Sequence, residues 1–271
     1  MGIRDSAMIE NIDFAKYKRF FAFGCSFTKF DYATWADIIG KEIPTYYNYG
    51  QTGGGNQFIF HSIIEANTKH KFDKSDLIIV MWTNIAREDR YLVNDWVTPG
   101  NIYTQDLYDK SFVSKFADTT GYLLRDLSFI EAARLIIENI KCDYDFLSMV
   151  PIDNPDQYNK VDNFNEHKNK EILDFYKQTL LSVKPSIQEL LFPDYNWNKY
   201  ECSYRYSPDK KIVFRDPHPV TKTYLEFLKI VYPKIKFSQT TLDYVESQMN
   251  IIKETIFGNG SVAINHNLER L

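Results

Sequence analysis

The sequence predicts an α/β fold in three layers, with helices packed on both faces of a central, mainly parallel sheet. Three observations carry this. Short strand-like runs alternate with helix-like stretches. The run over 77–82, Leu-Ile-Ile-Val-Met-Trp, has no polar break, as a strand covered on both faces requires. Capping residues and prolines stand where the periodicity changes.

The elements follow in order. Residues 18–23 form a short buried strand. A helix over 34–43 has Thr34 as N-cap and Asp37 three residues on. Residues 57–66 are helical in period, with Phe58, Ile59, Ile63 and Ala66 on one face. Residues 76–82 are the central strand. Ser128 and Glu131 make a capping box for a helix that runs to about 140. A strand over 145–150 ends at Pro151, and 166–183 is helical. A last short strand is expected at 211–214, then a helix over 221–231 stopped by Pro233, and a C-terminal amphipathic helix over 242–257. The stretches 88–127 and 152–210 are too long for simple connections and are expected to be insertions over one end of the sheet, the end where ligands bind in such folds. No repeat or low-complexity tract divides the chain, so residues 1–271 are expected to form a single domain.

Composition narrows the function. The chain has 271 residues, enough for one large domain, and 44% hydrophobic and 25% charged residues, which is ordinary globular usage. A net charge of −4 argues against a nucleic-acid partner, which would require a basic surface. No apolar run approaches a membrane span. The basic stretch Lys16–Arg19 precedes apolar residues and Cys25 as a secretion signal would, but the apolar part is too short and starts too late. Three cysteines, Cys25, Cys142 and Cys202, are odd in number and lack zinc-ligand spacing, so neither a disulfide framework nor a metal site is expected, and the cytoplasm is the default compartment.

Four blocks hold chemically suitable residues. Gly24-Cys25-Ser26-Phe27-Thr28 follows the first strand and places a serine at its carboxyl end. Alone, it reads more readily as a strand-to-helix turn with a capping serine. Asn48-Tyr49-Gly50-Gln51-Thr52-Gly53-Gly54-Gly55-Asn56 is a glycine-rich loop opening a helix, able to present backbone N–H groups to an anion. It lacks the Gly-Lys-Ser/Thr of a phosphate loop and the context of a dinucleotide fingerprint; otherwise it is a flexible turn. Asn84, just past the strand over 76–82, has an amide that can donate to an oxyanion or satisfy local backbone. His218, in Asp216-Pro217-His218-Pro219, is alone among the five histidines in following a strand end beside a carboxylate.

The order of these blocks resembles the SGNH (GDSL-like) hydrolase superfamily, and most closely its divergent branch with Gly-Cys-Ser-Phe-Thr in place of Gly-Asp-Ser. The Trp82-Thr83 segment followed by Arg87 is similar to that branch as well. The resemblance spans residues 19–232. It implies the flavodoxin-like SGNH hydrolase fold, Ser26 as nucleophile, His218 as general base and Asp216 as the acid that orients it. It also implies an oxyanion hole from the N–H groups of Ser26 and Gly53 and the side chain of Asn84, with Gly54 and Gly55 as alternative registers, and no cofactor.

The chain departs from the family pattern in three places. Asp216-x-His218 replaces the usual Asp-x-x-His, so Asp216 is expected to miss His218 if the pair lies in a loop, leaving another acceptor to orient the ring. Only the asparagine of the usual Gly-x-Asn-Asp is kept, in Trp82-Thr83-Asn84-Ile85. Cys25 stands where Asp precedes the serine, and alternation points it away from Ser26. The implied activity is hydrolysis or transfer of an acyl ester, with an acylated small molecule or carbohydrate as substrate; the alternative is a catalytically inactive binding or assembly protein on the same fold. Arg87-Glu88 is read as a structural ion pair. Tyr195, Trp197, Tyr200, Tyr204 and Tyr206 are candidates to line a groove, or to pack in a core.

Overall fold

The computed structural model describes residues 9, 11–103, 108–153, 166–192, 202–207, 212–254 and 262–264. Strand β1 (Arg19–Gly24) turns Phe20 and Ala22 into one apolar core and Phe21 and Phe23 into the other. Alternation with both faces covered is what makes this strand continuously apolar. Helix α1 (Trp35–Gly40) starts at Thr34, where Thr34 and Asp37 form the expected capping box.

Strand β2 (Thr45–Gly50) was not foreseen. It is a half-buried edge strand rich in tyrosine, without the apolar run that marks its neighbours. Tyr47 stacks on Phe21 and Tyr49 on Phe23, so cross-strand ring pairs hold it in register. Helix α2 (Asn56–His70) and strand β3 (Asp76–Trp82) follow, with every β3 residue buried.

Next come a hairpin of β4 (Arg90–Leu92) and β5 (Asp95–Val97), then helices α3 (Lys110–Phe116) and α4 (Thr119–Ile140). Helix α4 starts nine residues before the expected capping box, because Asp118 caps it through the Thr120 N–H and the face of Tyr122, Leu123 and Leu127 continues the buried stripe to Ile130. Ser128 lies mid-helix and donates back to the Leu124 carbonyl, while Glu131 pairs with Arg134.

Strand β6 (Asp143–Ser148) starts two residues before its expected position. The helix expected over 166–183 is broken at Tyr176 into α5 (Glu166–Phe175) and α6 (Lys177–Leu181), and Val183 then forms a single parallel bridge to Phe146. Helix α7 is Ile187–Leu191.

Strand order β2-β1-β3-β6 with parallel pairing makes the central sheet. Helices α2 and α4 cover the face carrying Phe21, Phe23, Val80 and Trp82. Helix α1 covers the other, with α8 (Thr221–Val231) and α9 (Gln239–Glu254). This is the three-layer α/β/α arrangement expected. Helix α9 starts three residues before 242, and 255–257 lie outside the described residues. Among the described residues no helix is long and apolar enough to cross a membrane.

The last strands differ most from expectation. Strands β7 (Cys202–Ser207), β8 (Ile212–Pro219) and β9 (Val262–Ile264) form a separate antiparallel sheet in the order β8-β7-β9. Thus β8 does not join the parallel sheet, and it runs five residues beyond the expected end at 214, carrying Asp216 and His218 within it. Pro217 and Pro219 hide this strand from a sequence reading, and an edge position is where a strand tolerates residues without an N–H.

Candidate active site

The chain runs from β1 to β2 on one side of the sheet and returns to β3 on the other, so the switch of direction falls between β1 and β3. In an open α/β sheet the crevice at the carboxyl ends of those strands is where ligands bind. Ser26 follows β1 and Asn84 follows β3, one on each side of it.

Ser26 occupies a tight turn in which the Thr28 N–H donates to the Cys25 carbonyl at 2.9 Å. Gly24 is required by close approach: a Cβ there would lie 2.0 Å from Thr28 Oγ1 and 3.0 Å from the Met81 carbonyl oxygen. Cys25 is fully buried against Met149, directed into the core as alternation predicts.

His218 approaches from the small sheet. Its Nε2 lies 2.7 Å from Ser26 Oγ, and its Nδ1 is hydrogen-bonded to Asp216 Oδ1. The same carboxylate oxygen accepts the backbone N–H of His218 at 3.1 Å. The short Asp-x-His spacing would separate the pair in a loop, but both residues lie on β8. On β8, residues two apart point to the same face, so this spacing brings carboxylate and imidazole together. Phe30 stacks on the imidazole at 4.0 Å between ring centroids, Phe27 packs at 5.0 Å, and the Tyr32 hydroxyl donates to the His218 carbonyl at 3.1 Å.

The glycine loop separates its three N–H groups by use. Gly54 donates to the Gln51 carbonyl at 2.9 Å, and Gly55 donates to both oxygens of Asp89 at 2.9 and 3.0 Å. The Gly53 N–H makes no hydrogen bond among the described residues, and neither does the Ser26 N–H. Asn84 Oδ1 accepts the Ala86 N–H at 2.7 Å, which leaves Nδ2 without a partner among the described residues. The three donors of the expected oxyanion hole are therefore all available, and Gly54 and Gly55 are committed elsewhere. Gly53 sits at φ +77°, and a Cβ there would be 2.0 Å from the Thr98 carbonyl oxygen, so only glycine fits.

A buried polar network beneath this loop was not foreseen. Asp89 accepts the N–H groups of Gly55 and Phe58 at the start of α2, and burial pushes its carboxyl up despite those bonds. Asn56 bridges Thr83 and Asp126, accepting from the Thr83 N–H at 2.9 Å and donating to the Thr83 carbonyl and the Asp126 carboxylate. Asp126 is wholly buried and raised to about 6 by that burial, against the pull of Arg125. Arg87 and Glu88 do not pair with each other as expected. Arg87 donates to the Gly54 carbonyl at 2.7 Å, while Glu88 pairs with Arg90 and Arg125, because neighbouring residues on an extended segment face opposite ways. Apart from Glu88–Arg90 and Arg125–Asp126, these partners lie tens of residues apart, and no local motif announces them. Of the candidate groove aromatics, Tyr195, Trp197 and Tyr200 lie outside the described residues, as do the side chains of Tyr204 and Tyr206.

Fold and side chains together define a three-layer α/β protein with a serine, a histidine and an aspartate in hydrogen-bonded series at the edge of its parallel sheet. No family model matches the chain, and no curated protein sequence matches it. Among solved structures it is similar to a member of the lipolytic protein G-D-S-L family from Veillonella parvula, at 14% identity over 80% of this chain and 98% of that one, with a TM-score of 0.42. It is also similar to a GDSL-like lipase from Bacteroides thetaiotaomicron, at 11% identity over 93% and 94% of the two chains and a TM-score of 0.37. A mutant of the esterase AlinE4 matches at 12% identity over 79% and 92%, with a TM-score of 0.34.

Proposed function

We propose that this protein is a serine hydrolase of the SGNH type, acting on an O-acyl ester through a covalent acyl-enzyme. One observation carries the reading: His218 Nε2 is 2.7 Å from Ser26 Oγ while its Nδ1 is held by Asp216. A serine hydroxyl is a weak nucleophile until a base stands within hydrogen-bond reach and a third group orients that base. Here His218 takes the Ser26 proton as Oγ attacks the ester carbonyl. The oxyanion forms opposite the donors of Ser26, Gly53 and Asn84, which have no partner among the described residues. His218 then protonates the departing alkoxide, and water, deprotonated by the same histidine, releases the acid.

The substrate proposed is an acylated small molecule or an O-acylated glycan, with hydrolysis or transfer to another hydroxyl following from the same acyl-enzyme. A His218 beyond hydrogen-bond distance of Ser26 would support the non-catalytic alternative, and the 2.7 Å separation favours the hydrolase reading instead. Intact-mass detection of fluorophosphonate labelling tests the reading. A single adduct on the native chain, absent from Ser26→Ala, is the expected result; a folded native protein that takes no label overturns it.

A further inference from the structure

The direction of a backbone N–H is set by its own peptide plane. Because the peptide is trans and planar, the carbonyl of Thr52 and the N–H of Gly53 point in opposite directions, and whatever holds the carbonyl aims the N–H. The Thr52 carbonyl accepts a hydrogen bond from Thr98 Oγ1 at 2.9 Å. The same Oγ1 accepts from Gln51 Nε2 at 3.0 Å. A hydroxyl has one proton, so the donation from Gln51 directs that proton to Thr52. Thr98 follows the β4–β5 hairpin, and its own carbonyl oxygen lies where a Gly53 Cβ would be. On the far side of Gly53 the loop is pinned again, by Arg87 on the Gly54 carbonyl and Asp89 on the Gly55 N–H.

Resting on the hydrolase reading, we propose that Thr98 is a positioning residue for the oxyanion hole: its hydroxyl locks the Thr52–Gly53 peptide so that the Gly53 N–H faces the developing charge. The glycine at φ +77° gives this peptide freedom to rotate, and the Thr98 hydroxyl removes it. Thr98 touches no reacting atom. It acts through Gly53 and is independent of the Ser26–His218–Asp216 series.

The test is the rate of fluorophosphonate labelling as a function of pH, on the full chain, for the wild type, Thr98→Val and Thr98→Ser. Valine keeps the shape and loses the hydroxyl; serine keeps the hydroxyl. The expected result is a plateau about tenfold or more lower in Thr98→Val, part of the loss known for a missing oxyanion donor. The midpoint of the pH profile should not move, and Thr98→Ser should recover most of the rate. Gln51→Met, which removes the group that orients the Thr98 proton, should lose rate in the same direction by less, and it serves if the valine variant does not fold. A wild type that labels, with Thr98→Val labelling as fast, overturns this inference alone. Equal losses in valine and serine variants also overturn it, since they assign Thr98 a role in shape only. A wild type that takes no label removes the hydrolase reading and this inference with it.

Discussion

The imidazole of His218 lies nearly parallel to the ring of Phe30, with 4.0 Å between centroids and 16° between planes. Phe27 packs against the same imidazole at 5.0 Å and 45°, so two phenyl rings contact it while its nitrogens bond to Ser26 and Asp216. A ring stacked on one face and bonded at both nitrogens keeps a single orientation, and a misplacement of about 1 Å can cost on the order of a hundredfold. Phe30→Ala opens one face. The expected outcome is a fluorophosphonate labelling rate lower by about tenfold or more, with a melting temperature reduced little because Phe30 is only partly buried. Phe30→Leu, which keeps bulk but not the flat face, should fall between.

The proposed roles of the three residues in series predict unequal losses. His218→Ala removes the base and should cut labelling of Ser26 to the level of an unactivated hydroxyl. Asp216→Ala should slow it strongly but leave a measurable rate, because the serine–histidine pair and the oxyanion donors remain. The double variant should be little worse than His218→Ala alone, since residues acting as a unit do not contribute additively. Losses that simply multiply in the double variant would contradict a linked series.

Much of this site was legible in the sequence, and the reasons differ by residue. Ser26, Asn84 and His218 are recognisable because each follows or ends a strand and has a side chain suited to one step of acyl transfer. Asp216 reaches His218 despite the short spacing because β8 extends through Pro217 and Pro219, so strand alternation and not loop geometry sets where the carboxylate points. The start of α4 was misplaced because Ser128 and Glu131 imitate a capping box, while burial of Tyr122, Leu123 and Leu127 carries the helix back to Asp118. Tertiary packing overrode a local signal there. The hold of Thr98 on Thr52 and of Asp89 on Gly55 joins segments 46 and 34 residues apart, and nothing in either segment alone reveals its partner.

Gly53 and Asn84 separate two kinds of loss. Gly53→Ala places a methyl group against the Thr98 carbonyl at a φ that L-residues rarely adopt, so strain of about 1–3 kcal/mol is expected in the folded protein along with the loss of activity. Asn84→Ala removes a donor without backbone strain and should lower kcat on an activated ester by about 10²–10³-fold. It also removes the acceptor of the Ala86 N–H, so a stability loss of about 1–3 kcal/mol is expected from that buried group. Denaturant unfolding and turnover of a p-nitrophenyl ester, measured on both variants, resolve the two. An Asn84→Ala protein with native turnover removes Asn84 from the oxyanion hole.

Outside this site, Asp145 gives the fold a pH dependence of definite sign. Its carboxylate is buried on β6, where it accepts from the Tyr232 hydroxyl at 2.8 Å and pairs with Lys184 at 3.3 Å. Burial outweighs these partners and raises its pKa to about 6. A carboxyl whose pKa is higher in the folded than in the unfolded chain binds more protons when folded. Its stabilising contribution is therefore complete below about pH 4 and is lost as pH rises towards 6, an effect on the order of 2–3 kcal/mol. Asp145→Asn cannot titrate. Its side chain is uncharged at every pH, as the wild-type carboxyl is when protonated. The unfolding free energy of the wild type, relative to that of Asp145→Asn, should therefore fall between pH 4 and pH 6 and level off above that. All other titrating groups are common to both proteins and cancel in that difference. Urea unfolding at both pH values measures it. A difference that grows with pH means that Tyr232 and Lys184 hold the carboxyl ionised, and that pairing outweighs burial at this position.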